Sequence, residues 1–218
     1  MKKNEKKINL KLSKIDEILT KSKIIPVMVV EDYRVALNAS EALLKGGVSV
    51  IEITLRTPTA FKVAEKVLNE FPEIKVGIGT IINSSQLVET YAIGAHFGVS
   101  PGYNRDLIEL AKDQLSDLPY LPGISNPSQV MKCINKSYFT LKCFPASSIG
   151  GVDFVKQMNS VFNNVKFCPT GGINFSNASD YLKLPNVISV GGSFLLPKEA
   201  INNNDWKSIT KIAKTFTQ

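Results

Sequence analysis

Short apolar runs alternate along this chain with longer stretches in which apolar residues recur every three or four positions. The runs are IIPVMVV (24–30), VIEITLR (50–56), KVGIGTI (75–81), HFGVS (96–100), PYLPGI (119–124), YFTLKCF (138–144), VKFCPT (165–170) and VISVGGS (187–193). Each has the length and content of a strand. Between them, YRVALNASEALLKGG (33–47) and PTAFKVAEKVLNEF (58–71) carry a helical period, and cap-like residues open others, as at Asn83–Ser85 and Ser125–Pro127. Eight strands interleaved with eight helices predict an α/β protein with a parallel sheet, and that repeat number favours a closed (β/α)8 TIM barrel. An open doubly wound sheet would place a Gly-rich loop after its first strand, where VVEDY stands instead. No linker or compositional break divides 1–218, so a single domain is expected.

Polar residues inside two of the runs break the pattern. Side chains alternate across a strand, so in 50–56 Ile51, Ile53 and Leu55 share one face while Glu52, Thr54 and Arg56 share the other. The apolar face must meet the helices, which turns the polar face into the barrel. The same parity in 138–144 sends Thr140, Lys142 and Phe144 inward, and Leu141 and Cys143 outward. These are the second and sixth strands of eight. Interior layers of a barrel are filled by alternate strands, so Glu52 and Lys142 fall in sets that face each other. Arg56, Thr80, Pro101 and Lys142 all lie toward strand ends at the C-terminal mouth, where such barrels do their chemistry.

Charge narrows the options. The formal net charge is +7, but residues 1–23 hold eight lysines against Glu5, Asp16 and Glu17, a local +5 that leaves +2 for the rest. Leu12, Ile15, Ile18 and Leu19 fall near helical spacing there, so the Lys-rich start is expected to dock as an amphipathic helix with a solvated basic face. No nucleic-acid partner is inferred. No segment has the apolar length of a membrane span, and the start lacks the apolar core of a secretion signal; a soluble cytoplasmic protein is the expectation. Cys133, Cys143 and Cys168 are odd in number without paired-ligand spacing and read as reduced core thiols. His96 is the only histidine, which removes histidine-cluster metal sites, Ser-His-Asp triads and Cys-His pairs; it reads as a packed strand residue.

Any catalysis must then run on Lys, Arg, Glu, Asp, Ser, Thr or backbone groups, and the inward Lys142 and Glu52 are the first candidates. A free lysine, with a pKa near 10.4, is the neutral amine in only about one molecule in 2,500 at pH 7. Burial raises that fraction, and a neutral amine condenses with a ketone to give an iminium, an electron sink beside a breaking carbon bond. Glu52 in a partly dry pocket suits proton transfer in both directions. Arg56 offers a planar fork for a substrate carboxylate and Thr80 a hydroxyl donor. The Gly pairs of PTGGIN (169–174) and VGGSF (190–194), at the ends of the last two strands, stand where barrels cradle phosphate on backbone amides. Simpler readings exist for each. Lys142 could snorkel to solvent from a strand end, Glu52 and Arg56 could form a structural ion pair, and the glycines could serve only tight turns.

At these residues the chain resembles the class I 2-keto-3-deoxy-6-phosphogluconate (KDPG) and 4-hydroxy-2-oxoglutarate (KHG) aldolases. The resemblance runs from about Ile24 to Pro197 on IPV, GGVSVIEITLRT, GIGT, VSPG, LPGIS, LKCFPAS, FCPTGGI and GGSFL in the family's order. It implies Lys142 as the Schiff-base lysine, Glu52 as general acid/base, and Arg56 and Thr80 on the pyruvyl carboxylate. Pro101 and Phe144 would line the pocket, and Thr170, Gly171, Gly172, Gly192 and Ser193 would take the phosphate. It also implies pyruvate and a 2-keto-3-deoxy sugar acid phosphate as ligands, no cofactor and no metal, and a homotrimer. The similar phosphogalactonate aldolases tend to carry other residues at Thr54 and Arg56, so EITLRT favours the gluconate branch. Ser147 replaces the familiar acidic residue after FPA. Ile78 replaces the alanine of GAGT, and parity with Thr80 would turn it toward the pocket. An isomerase or synthase that forms no imine, and a noncatalytic sugar-phosphate binder, are the competing readings.

Overall fold

The computed structural model describes residues 13–217 and has an α/β fold. Its strands are β1 (Ile24–Met28), β2 (Val50–Thr54), β3 (Lys75–Gly79), β4 (Phe97–Val99), β5 (Tyr120–Leu121), β6 (Gly123–Ile124), β7 (Thr140–Cys143), β8 (Lys166–Pro169) and β9 (Val190–Gly192). The helices are α1 (Lys14–Leu19), α2 (Tyr33–Lys45), α3 (Ala60–Glu70), α4 (Ser84–Ala92), α5 (Arg105–Asp113), α6 (Pro127–Ile134), α7 (Gly151–Val161), α8 (Ala178–Leu182), α9 (Lys198–Asn202) and α10 (Trp206–Thr217), with a short 3-10 turn over Ala146–Ile149. Every strand lies inside one of the eight apolar runs. The fifth run holds two short strands because Pro122, which has no N–H to give to a ladder, separates them.

All pairings are parallel. One sheet has the order β5-β4-β3-β2-β1-β9 and the other β6-β7-β8. Isolated parallel bridges, Phe167 to Val187 and Thr170 to Gly191, join β8 to the chain around β9. Caps fix the helix starts as the sequence suggests. The Asn83 side chain accepts from Gln86 N at 3.0 Å, and Asn126 accepts from Gln129 N at 3.1 Å ahead of Pro127 at the first helical turn.

Two apolar clusters sort the strand faces. Ile51, Ile53, Leu141 and Cys143 pack in the larger one with helix residues such as Ala39, Val63 and Val130. Val50, Phe97, Val99, Leu121 and Cys168 form the smaller, inner one with Ile15 and Leu19 of α1. The Lys-rich start therefore docks as expected over Lys14–Leu19, whereas residues 1–12, including Leu12, lie outside the described residues. Asp16 anchors this helix. It is buried, accepts a hydrogen bond from the Thr140 hydroxyl, and lies 3.5 Å from Lys166 Nζ.

The third strand corrects one expectation. Ile78 is fully buried in the larger cluster beside its register neighbour Ile53, so it faces the helices and not the pocket. Gly77 and Gly79 hold the inward positions. Thr80 has φ 65, and this left-handed step ends the alternation on which the expectation rested. Among the described residues no helix is long and apolar enough to cross a membrane.

Candidate active site

β2 and β7 each present one charged side chain to the interior between two outward-facing aliphatic or thiol neighbours. Glu52 is 4% exposed and Lys142 is 5% exposed. Lys142 Nζ lies 2.9 Å from Glu52 Oε1 and 3.2 Å from Oε2, a two-oxygen contact between strands of the two different sheets. A buried ammonium or carboxylate alone is strongly disfavoured, and each is tolerated here because it faces the other. The snorkelling alternative for Lys142 is thereby removed, and the buried ion pair of Glu52 is with Lys142.

The walls around the pair come from residues with little or no side chain. An added Cβ on Gly79 would overlap the Glu52 carboxylate, so the glycine provides the space the acid occupies. Gly123 is the register partner of Lys142, and the Pro101–Gly102 backbone passes directly over it. The Phe144 ring centre is 5.6 Å from Lys142 Nζ, within cation–π range. Cys168, the other register partner of Lys142, is buried in the inner cluster and receives the Ser189 hydroxyl at 3.5 Å. Burial pushes its thiol pKa up, so it stays a neutral surface beside the lysine.

The loop after β8 lies against this wall. Ala146 N donates to Thr170 O at 2.8 Å and Ser147 N to Gly171 O at 3.1 Å. Gly171 and Gly172 have φ 96 and 74, a conformation that side chains disfavour, and a Cβ on Gly171 would press on the Phe144 ring. A Cβ on Gly172 would overlap Ser147, so the residue that departs from the family's acid lies against the glycine loop. The bridge from Thr170 to Gly191 sets this loop beside the Gly192–Ser193 turn. Among the described residues, the backbone N–H groups of Gly172, Ser193 and Phe194 donate to no protein acceptor. Such amides suit an anion.

Arg56 is placed differently from its strand parity. β2 ends at Thr54 and the chain turns, with Arg56 N donating to Thr54 O at 2.8 Å. The Arg56 side chain is exposed and lines a depression with Ser193 and Lys198. Thr80 and Pro101 are half-buried. The cysteines are buried and unbridged, and burial pushes the Cys143 thiol up to about 12. His96 stands just before β4, its Nδ1 accepting from Val76 N at 3.2 Å, which is a packing role. Sequence reasoning missed Gly79 and Cys168 as site residues. A glycine inside an otherwise aliphatic strand is the signal that could have found the first.

The comparisons with known proteins converge on one family. The family model for KDPG and KHG aldolases matches residues 15–212. The KHG/KDPG aldolase of Escherichia coli K12 is 40% identical over 199 residues, covering 91% of this chain and 92% of that protein. The crystal structure of the Legionella pneumophila KDPG aldolase, with pyruvate captured as a covalent carbinolamine, superposes with a TM-score of 0.90 at 41% identity over 93% of this chain and 98% of that one. The Zymomonas mobilis KDPG aldolase with 3-phosphoglycerate gives a TM-score of 0.87 at 38% identity over 93% and 94%. With a lysine and a carboxylate buried together in a parallel α/β fold, and these likenesses running nearly end to end, the chain belongs to the KDPG and KHG aldolase family.

Proposed function

We propose that this chain is a Schiff-base aldolase that cleaves 2-dehydro-3-deoxy-6-phosphogluconate to pyruvate and glyceraldehyde 3-phosphate, with Lys142 as nucleophile and Glu52 as general acid/base. The observation that carries this reading is the buried contact of Lys142 Nζ with both Glu52 oxygens. Glu52 can take the ammonium proton and release the neutral amine. The amine adds to the C2 ketone to give a carbinolamine, Glu52 returns its proton to the departing hydroxyl, and loss of water gives the iminium and the free carboxylate. Glu52 then accepts the C4 hydroxyl proton as the C3–C4 bond breaks. The bonding electrons pass into the iminium to form an enamine, and glyceraldehyde 3-phosphate leaves. Protonation at C3 and hydrolysis release pyruvate and restore Lys142.

The remaining sequence-derived residues take binding roles in the same reading. Arg56 and Thr80 hold the pyruvyl carboxylate, while Pro101 and Phe144 shape the pocket. Thr170, Gly171, Gly172, Gly192 and Ser193 take the phosphate on backbone amides and hydroxyls, a remote contact whose binding energy orients the scissile bond. The Escherichia coli relative is named for both substrates, which favours 4-hydroxy-2-oxoglutarate, cleaved to pyruvate and glyoxylate, as a second substrate. The finer architectural reading, a (β/α)8 barrel, takes β5 and β6 as halves of one strand and the two isolated bridges as the seam that closes the sheets. The homotrimer belongs to the same proposal.

Incubation with pyruvate and sodium borohydride tests the chemistry. The expected result is an irreversible adduct on the peptide that contains Lys142. Absence of an adduct, or an adduct on another lysine, overturns the mechanism.

A further inference from the structure

The proposed phosphate cradle contains no cation. Thr170, Gly171, Gly172, Gly192 and Ser193 are all neutral, whereas a phosphate monoester carries about −1.5 to −2 charges at pH 7. Arg56 is committed in the proposed function to the carboxylate at the other end of the substrate. A cation beside the cradle would offset the charge of the phosphate end.

The depression lined by Arg56 and Ser193, of about 530 Å3, has one more charged residue on its wall: Lys198. The chain brings it there by a tight turn. Leu196 N donates to Ser193 O at 2.9 Å, and Pro197 then starts α9 with Lys198 as its first residue. The rest of the lining is aliphatic, including Met28, Leu196 and Ile201, and no carboxylate lines the depression among the described residues. Neither Arg56 nor Lys198 forms an ion pair among the described residues. Two unneutralised cations on an aliphatic wall, one of them opening the helix that follows the Ser193 turn, make this depression attractive to an anion beside Ser193.

We infer that Lys198 is a specificity-determining residue: it supplies the charge that the backbone cradle lacks and selects phosphorylated over unphosphorylated substrates. This deepens the proposed function and rests on it. Lysine suits the task because a flexible point charge can follow a phosphate held by backbone amides without imposing a fork geometry of its own.

The test compares kcat and KM on 2-dehydro-3-deoxy-6-phosphogluconate and on 4-hydroxy-2-oxoglutarate. In the wild type, the ratio of kcat/KM for the two substrates should favour the phosphorylated one. In Lys198→Ala that ratio should fall about tenfold, the size expected for one lost charge-assisted contact, with the loss carried by KM for the phosphorylated substrate. Lys198→Arg should restore most of the ratio and Lys198→Gln should not, a dependence on charge that a merely structural role would lack. A wild-type ratio near one would remove the phosphate site itself and this inference with it. A high wild-type ratio retained in Lys198→Ala, or an equal loss on both substrates, would overturn the role of Lys198 alone.

Discussion

Gly79 and Glu52 share one volume: the acid's carboxylate fills the space that a side chain on Gly79 would take. The two residues sit on adjacent parallel strands, with Gly77 opposite Glu52 and Gly79 opposite Thr54. The strand backbone tolerates alanine at Gly79, so the cost of a methyl group falls on the acid. Gly79→Ala should leave the circular dichroism spectrum intact while displacing Glu52 from Lys142. The expected result is a drop in kcat of about 10² or more, the scale of losing a positioned acid/base, together with slower borohydride trapping of pyruvate. Wild-type kcat in this variant would show that Glu52 works from another position.

The Lys142–Glu52 pair has a stability consequence separate from its chemistry. Both side chains are nearly inaccessible, so removing one strands a buried charge beside apolar neighbours. Lys142→Met and Glu52→Gln should each abolish or nearly abolish turnover. Lys142→Met should also cost about 3–5 kcal/mol of unfolding free energy, the range for breaking a buried pair from one side. The double variant, which leaves no buried charge, should recover most of that loss in urea unfolding. Additive losses would mean that solvent reaches the pair freely.

Strict alternation made the interior legible where strands carry contrasting side chains. In VIEIT and TLKC every second residue announces its face, and Ile51, Ile53, Leu141 and Cys143 pack toward the helices while Glu52 and Lys142 meet inside. The same rule failed at Ile78. Gly77 and Gly79 have no side chains to mark a face, and the positive φ of Thr80 shifts the parity of everything counted from it. It failed again at Arg56, because the strand stops at Thr54 and alternation has no meaning in the turn that follows. Contacts between distant segments, such as Asp16 with Thr140, leave no periodic trace at all.

That contact carries its own prediction. Asp16 joins α1 to the strand of the lysine, two residues before Lys142 on the same face, while Ile15 and Leu19 of the same helix pack into the inner cluster. Asp16→Ala would leave the buried Thr140 hydroxyl without its acceptor and loosen this covering. A loss of about 1–3 kcal/mol is expected, the cost of an unsatisfied buried group, read as a lower urea midpoint. Thr140→Val leaves the buried Asp16 carboxylate short of a donor, so it should lower the midpoint as well. An unchanged midpoint in both variants would show that the contact contributes nothing.

The single histidine gives the fold a pH dependence of known sign. Burial of the His96 ring disfavours its charged form, and the nearby Lys75 cation adds to this, so the folded pKa lies below the ordinary 6.5. Protonation at Nδ1 would also end its acceptance of the Val76 N–H. As pH falls through about 6.5, the unfolded chain takes up a proton that the folded molecule refuses. Stability is therefore lost from that point down, until the folded ring is protonated as well. Carboxylates contribute to any acid loss, so the informative quantity is a difference. His96→Asn keeps a side-chain oxygen able to accept from Val76 but cannot ionise. Between about pH 7 and 5, the urea midpoint of the wild type should fall by more than that of His96→Asn. Parallel curves would mean that the ring is as easily protonated folded as unfolded.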